Sequence, residues 1–393
     1  MRAAVYTDAV LRRSEAGAFA DETFVVFVAG LRDQLDGLVL VARLDPAPGS
    51  GAYRIRDDVE VAGLPHYASL ARPGAVVRSA AEALGRFWRV LDGVEVVWLL
   101  GPHPIALLFV ALAAVRGRRV VLGVRQDMPA HVRARHPTRR GLHLAASALE
   151  LAWRGLARLF PTVVVGPELG RSYRHARALL PAVVSLVEDA DLVSEEHALR
   201  RPYDGSLTLL SVGRLDPEKN PLLLAAVVER LQRLDGRWRL EVCGDGTEAA
   251  ALADALRRLG PGDRSELLGF RPLSDLRRRY RDSHALLHVS WTEGVPQVLF
   301  EAFAAGLPVV ATDVGGVAAA VDGAALLVPP GDAAAAAAAV ARLAEDAALR
   351  GTLVRRGLRL AGEHTAAAER RRLAAFLTGQ VVAAGDAQLV GRR

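Results

Sequence analysis

Lysine is almost missing from this 393-residue chain: Lys219 is its sole representative, and arginine supplies nearly all the remaining positive charge. Cysteine is as scarce, with Cys243 alone. A single cysteine excludes a disulfide framework and a cysteine-rich metal site, and its apolar neighbours mark it as a reduced core thiol. Long hydrophobic runs are lacking too. The most apolar stretch, Val94 to Val115, is interrupted by Gly101, Pro102, His103 and Pro104. What remains is a helix from about Ile105, well short of the ~20 residues a membrane span needs. No secretory leader is legible, because Met1 to Tyr6 runs straight into a short apolar strand and then polar residues; a cytoplasmic chain is expected. Neither half opens on a G-x-G-x-x-G turn, which argues against an NAD or FAD oxidoreductase. No histidine or cysteine cluster has ligand spacing, so no metal site is expected.

What is present describes an ordinary globular protein. Hydrophobic residues make up 51% and charged residues 24%, which excludes a disordered or fibrous chain. The length calls for two α/β-sized domains. The net charge of +6 is unevenly spread: residues 1–187 hold 24 Arg against 16 acids, and the remainder 26 basic against 28 acidic residues. Arg116 to Arg140 carries eight Arg against the single acid Asp127. Such an electropositive pole suits an anionic or lipid-linked acceptor, a phosphate, or peripheral contact with an acidic membrane at its inner face, whereas the plainer reading is a solvated arginine rim. No nucleic-acid partner is expected.

Short apolar runs alternate with helical patterns throughout, the mark of parallel βαβ units. In the first half the strand candidates are 3–6, 38–42, 94–100, 120–124, 162–165 and 183–186. The polar passage 188–204 reads as a linker. Alternation restarts with strands 207–212, 239–243, 265–268, 285–289, 308–311 and 325–328. The fold class is therefore α/β, with two doubly wound Rossmann-like domains, 1–187 and 205–362. A C-terminal helix at 363–378 and a tail at 379–393 follow. In open sheets of this kind ligands lie beyond the C-terminal ends of the strands, so the expected site is a cleft across which the two domains face.

The most informative stretch runs from His288 through Glu293-Gly294-Val295-Pro296-Gln297-Val298 to Glu301 and on to Gly306 and Pro308. It reads as strand, tight loop, helix, turn, strand. Pro296 suits a first helical position, and the free N–H groups that follow would donate to a diphosphate at the positive end of the helix dipole. Glu301 would lie roughly 7.5 Å further along the axis, where vicinal ribose hydroxyls would satisfy a carboxylate on an apolar helix. Glu293, before the helix, could receive sugar hydroxyls. A second feature is Gly213-Arg214 followed by Lys219-Asn220-Pro221, with Asn220 a plausible helix N-cap. Two cations on that strand-to-helix loop could stabilise charge building on a departing diphosphate. Lysine offers a compact charge that guanidinium does not duplicate, which favours function for the one lysine over a solvated loop charge. Gly244-Asp245-Gly246 adds a third strand-end loop.

The order Gly213-Arg214, Lys219-Asn220, Gly244-Asp245-Gly246, Leu268-Gly269-Phe270, Glu293-x7-Glu301 and Gly306-x-Pro308 through Gly315-Gly316 resembles the donor domain of family 4 retaining glycosyltransferases of GT-B fold, over residues 207–345. The resemblance implies that Arg214 and Lys219 bind the diphosphate, Glu301 the ribose and Glu293 the donor sugar. Phe270 and Arg271 would border the nucleobase. It further implies a metal-independent transfer of a hexose-type sugar from UDP or GDP with retention, with no cofactor beyond the nucleotide-sugar substrate. The last helix would cross back to the first domain. The N-terminal half matches less of the pattern. Its candidates are Gly17 as an acceptor-loop glycine, Asp127 after Gln126, and His103 after strand 94–100. The alternatives are a nucleotide-sugar epimerase or hydrolase of the same fold and a non-catalytic nucleotide-sugar-binding partner of another transferase.

Overall fold

The computed structural model describes residues 1–66, 73–136, 138–260 and 262–379; most of the expected tail lies outside them. The chain divides into two compact units. One comprises Met1–Val184 and the residues from Ala368 onward, the other Ser185–Ala367.

In the first unit the strands are β1 Arg2–Ser14, β2 Gly17–Ala20, β3 Gly37–Leu44, β4 Tyr53–Arg54, β5 Glu60–Leu64, β6 Val96–Gly101, β7 Arg119–Val124, β8 Thr162–Val165 and β9 Leu179–Ala182. Parallel pairing runs β5-β3-β1-β6-β7-β8-β9, and β2 and β4 add an antiparallel extension to the far end of β1. That extension is absent from the sequence reading, which ends the first strand at Tyr6. Beyond Tyr6 the side chains continue to alternate, with Thr7, Ala9 and Leu11 buried and Asp8, Val10 and Arg12 partly exposed, and the register against β3 shifts between Tyr6 and Val10. The last strand is displaced from 183–186 to Leu179–Ala182. Its Pro181 is tolerated because β9 is an edge strand. Ala83, Phe87, Phe109, Ala113, Trp153 and Ala157 fill one core with Tyr6, Val97 and Leu122, so the helices Pro73–Val90, Pro104–Val115 and Arg140–Ala157 cover the same face of the sheet.

The second unit holds β10 Leu207–Val212, β11 Trp238–Cys243, β12 Ser265–Leu267, β13 Ala285–His288, β14 Val309–Thr312 and β15 Ala325–Val328. All its pairings are parallel, in the order β12-β11-β10-β13-β14-β15. The order reverses between β10 and β13, and a crevice opens beyond the strand ends at such a reversal. Successive residues of β13 point to opposite faces, and Ala285, Leu286 and Leu287 are all buried, as a parallel strand covered on both faces requires. Cys243 is a free, buried thiol whose pKa burial pushes up to about 11. The passage expected as a bare linker contains a helix, Glu195–Leu199, capped by Ser194, and clusters with this unit. The helix expected at 363–378 runs Ala366–Thr378, and a separate helix, Ala347–Glu363, precedes it across a break at His364 and Thr365. Among the described residues no helix is long and apolar enough to cross a membrane.

Leu287 in central strand β13 is wholly buried. Leu287→Ala should lower the stability of the second unit by about 2–5 kcal/mol, read as an earlier urea transition of tryptophan emission.

Candidate functional site

Two loops meet at the reversal between β10 and β13. After β10 the chain turns through Gly213, runs past Arg214, and makes a single 3-10 turn over Pro217–Lys219. Asn220 then adopts a left-handed conformation (φ 52°), and the helix begins only at Leu222. Asn220 is thus a hinge that ends the turn, not the N-cap expected of it. After β13 the chain runs through Ser290 to Pro296, which is the N-cap of the Gln297–Ala304 helix, one position earlier than expected. Trp291 N–H donates to the Glu218 carbonyl at 2.9 Å and fastens one loop to the other.

The centre of the site is the Glu293 carboxylate, whose side chain is only 9% exposed. Its Oε1 accepts from Lys219 Nζ at 2.6 Å and from Ser290 Oγ at 2.7 Å, and lies 2.9 Å from His288 Nε2. Ser290 Oγ and His288 Nε2 are themselves 3.1 Å apart, and Thr312 Oγ1 donates to the Ser290 carbonyl at 2.8 Å. Burial alone would raise the pKa of Glu293. The His288 hydrogen bond and the Lys219 charge outweigh it and hold the carboxyl at about 2. The backbone is fixed as well: Gly316 N–H donates to the Glu293 carbonyl, and a Cβ on Gly315 (φ 52°) would stand 2.0 Å from that oxygen.

The other donor-side candidates frame this centre. Arg214 is 65% exposed and paired with Asp216 and Glu218 of its own loop. Gly244 and Gly246 pack against the Gly213–Leu215 backbone; a Cβ on Gly244 would overlap the Gly213 carbonyl. Gly244 N–H donates to the Gly269 carbonyl at 2.9 Å, which brings the Phe270 and Arg271 loop alongside. Phe270 is exposed. Gly294, Val295, Gln297 and Val298 surround the helix start, where Leu299 N–H donates to the Pro296 carbonyl at 3.3 Å and the earlier N–H groups of an α-helix have no intrahelical acceptor.

Glu301 belongs to a separate cluster. Its Oε2 accepts from Tyr280 Oη at 2.7 Å. It lines a pocket with Asp191, Leu273, Arg277, Tyr280 and Ala304. Burial raises its pKa, against the Tyr280 hydrogen bond and the Arg277 charge. No Asp-x-Asp run was expected, yet the sequence holds one, Asp189-Ala190-Asp191, and its Asp191 lines this pocket. Its Asp191 carboxylate accepts from Glu188 N–H and pairs with Arg277 at 2.8 Å. Among the described residues no group of three His, Cys, Asp or Glu could hold a metal ion.

In the first unit His103 lies two residues past the end of β6, as the N-cap residue of Pro104–Val115. Its Nδ1 lies 3.2 Å from Tyr6 Oη and its Nε2 3.5 Å from Asp8, which also pairs with Arg43. Burial, with Arg43, lowers its pKa against the pull of Asp8. Asp127 accepts from Ala130 N–H at 2.7 Å and caps the Met128–Arg135 helix. Gly17 (φ 124°) closes the β1–β2 hairpin and is not part of a wide loop.

His288, Ser290, Tyr280, Asp216 and Trp291 were not read from the sequence as functional. The signal for the first two was available: His288 and Ser290 are two apart at a strand end and so face the same side.

Residues 194–359 match the family described as Glycosyl transferases group 1. Among curated proteins the chain is 34% identical over 140 residues to a subunit of phosphatidylinositol N-acetylglucosaminyltransferase of Arabidopsis thaliana, covering 35% of this chain and 31% of that protein. It is 33% identical over 124 residues to a glycogen synthase of Mycobacterium tuberculosis, 32% and 30% of the respective lengths. The chain thus spans about a third of the length of these relatives. Among solved structures, Anabaena Alr3699/HepE in complex with UDP superposes with a TM-score of 0.70 at 17% identity, over 96% of this chain and 100% of that one. The fold is GT-B.

Glu293 sets a pH dependence. A carboxyl whose folded pKa is depressed contributes stability that is complete above its unfolded value and is lost as pH falls through the folded value. Glu293→Gln should therefore cost up to about 3 kcal/mol near neutrality, and its urea midpoint should converge on that of the parent between pH 4.5 and about 2.

Proposed function

We propose, from the premise that residues 194–359 are a Glycosyl transferases group 1 domain, that this chain is a retaining glycosyltransferase. It moves a hexose-type sugar from UDP- or GDP-sugar to an acceptor in the synthesis of a cell-surface glycan, a glycolipid or a secondary metabolite. One observation carries this reading. The lone lysine and Glu293, 74 residues apart in the chain, meet at 2.6 Å at the strand-order reversal, beside the open start of the Gln297–Ala304 helix.

The ammonium of Lys219 has three donors and Glu293 takes one, which leaves two directed at a diphosphate. Arg214 supplies a second cation from the same loop, and the helix start supplies N–H groups and its dipole. These groups stabilise the charge that grows on the leaving diphosphate, so the cationic work is done by protein side chains and no cofactor is invoked. As the bond from the anomeric carbon to the phosphate oxygen breaks, the acceptor oxygen bonds to that carbon on the same face. The acceptor proton passes to the departing phosphate oxygen. Glu293, held by Lys219, His288 and Ser290, presents its carboxylate edge to the sugar hydroxyls, while Glu301 and Tyr280 take the ribose, and Phe270 with Arg271 borders the base. UDP in the Anabaena neighbour supports a nucleotide-linked donor. The arginine excess of the first unit supports an anionic or lipid-linked acceptor.

A second reading has its own support. Asp127 is committed to a helix cap and Gly17 to a hairpin, which suits a nucleotide-sugar-binding partner of another transferase. One screen separates the two. A cognate nucleotide-sugar should raise the melting temperature of the protein and be turned over when an acceptor is supplied. Stabilisation without turnover of any acceptor selects the second reading, and no stabilisation by any UDP- or GDP-sugar removes both. Lys219→Ala and Arg214→Ala should each lower transfer by about a hundredfold or more with the fold retained, measured as sugar released from labelled donor.

A further inference from the structure

The outer surface of the first unit is inverted on two of its helices. Pro104–Val115 contains no charged residue, and its outward positions include Leu108, Ala111 and Val115, the last 78% exposed. Arg140–Ala157 has a single acid, Glu150, and it is turned inward, accepting from Tyr173 Oη at 2.8 Å and Arg154 Nε at 2.9 Å. Leucine faces out instead: Leu144 is 74% and Leu151 72% exposed. With Ala148, Ala152 and Gly155 they form one uncharged stripe, since these positions recur on one side of an α-helix, and exposed Leu159 follows in the turn beyond its end. Both helices pack into the same core on the same face of the sheet. Their outward faces therefore make a joint apolar surface of a kind that marks an interaction site.

The rim of that surface is cationic. Arg133, Arg139, Arg140 and Arg158 are exposed, and none is ion-paired with an acid among the described residues. Arg139 and Arg140 begin their helix, at the positive end of its dipole, where a cation is unfavourable and no acid compensates in the first turn. Helix stability does not account for their position, whereas an external anion does. We propose that this face is a docking surface for an anionic lipid bilayer. The two helices would lie along the interface with Leu108, Val115, Leu144, Leu151 and Leu159 in the acyl boundary and the arginines at the headgroups. Two copies packed through it would bring like-charged rims together, which disfavours a dimer there. The inference does not rest on the sugar-transfer reading.

Flotation of the full chain with phosphatidylcholine vesicles, alone or mixed with phosphatidylglycerol, tests it. Binding should require phosphatidylglycerol and weaken in high salt. Leu144→Ser with Leu151→Ser should reduce binding at least tenfold, as should Arg139→Glu with Arg140→Glu. Both pairs are exposed, so neither variant should unfold at a lower temperature than the parent, Arg139→Glu with Arg140→Glu gaining slightly from the helix dipole, and stabilisation by nucleotide-sugar should match the parent in both. Equal binding to both vesicle types, no binding, or binding unchanged in the variants overturns the proposal. So does a dimer, seen by light scattering, that Leu144→Ser with Leu151→Ser dissolves.

Discussion

The second unit is organised around one buried carboxylate oxygen. Glu293 Oε1 sits within 2.9 Å of a lysine from the β10 loop, a histidine from the end of β13 and a serine from the loop beyond it. A buried carboxylate is costly unless it is paired and hydrogen-bonded, and this one is both. The cost of leaving it unpaired is what ties the two loops to each other. Removing any one donor leaves the oxygen less well compensated, so the loop that carries Arg214 and Lys219 and the loop that precedes the Gln297–Ala304 helix are fixed as a pair. Gly315 and Gly316 press on the same residue from its backbone side. The geometry of phosphate recognition at the helix start is therefore inherited from an ion pair one step away from it.

The structure gives the two glutamates different surroundings. The resemblance in sequence assigns Glu301 to the ribose and Glu293 to the donor sugar. In the structure their pKa values are shifted in opposite directions, and they differ in place. Glu293 is held ionised by Lys219 and His288, whereas burial raises the pKa of Glu301, whose oxygen accepts from Tyr280. An ionised carboxylate is an acceptor only. Glu293 therefore suits sugar hydroxyls that donate. Glu301, already accepting from Tyr280 Oη, suits vicinal ribose hydroxyls beside that tyrosine.

The second unit was largely legible because its physics is local. Six parallel strands announce themselves as apolar runs between helical patterns, and the turn residues Gly213, Gly244 and Pro296 fall at strand ends where the pattern changes. What was missed there depended on contacts across the chain: Tyr280 with Glu301 is encoded in no local periodicity, whereas the shared side of His288 and Ser290 was legible and only their contact with Glu293 was not. In the first unit the failures have a different cause. The continuation of β1 past Tyr6 carries Asp8, Arg12 and Arg13, so composition hides a strand that alternation alone would show. Pro181 likewise conceals β9, since only an edge position makes it admissible, and edge position is a property of the whole sheet.

The contrast between the units extends to their surfaces. In the second, charge is neutralised within the site: Arg214 has Asp216 and Glu218, Lys219 has Glu293, and Arg277 has Asp191. In the first, the acid of the Arg140–Ala157 helix is buried and the arginines at its N-terminus are left to solvent. Folding stability favours neither choice, because a helix gains nothing from cations at its N-terminus and an exposed leucine gains nothing from water. A surface that opposes both preferences at once is explained by what it meets outside the chain. Arginine and leucine together are complementary to a headgroup layer over an acyl layer, in that order of depth.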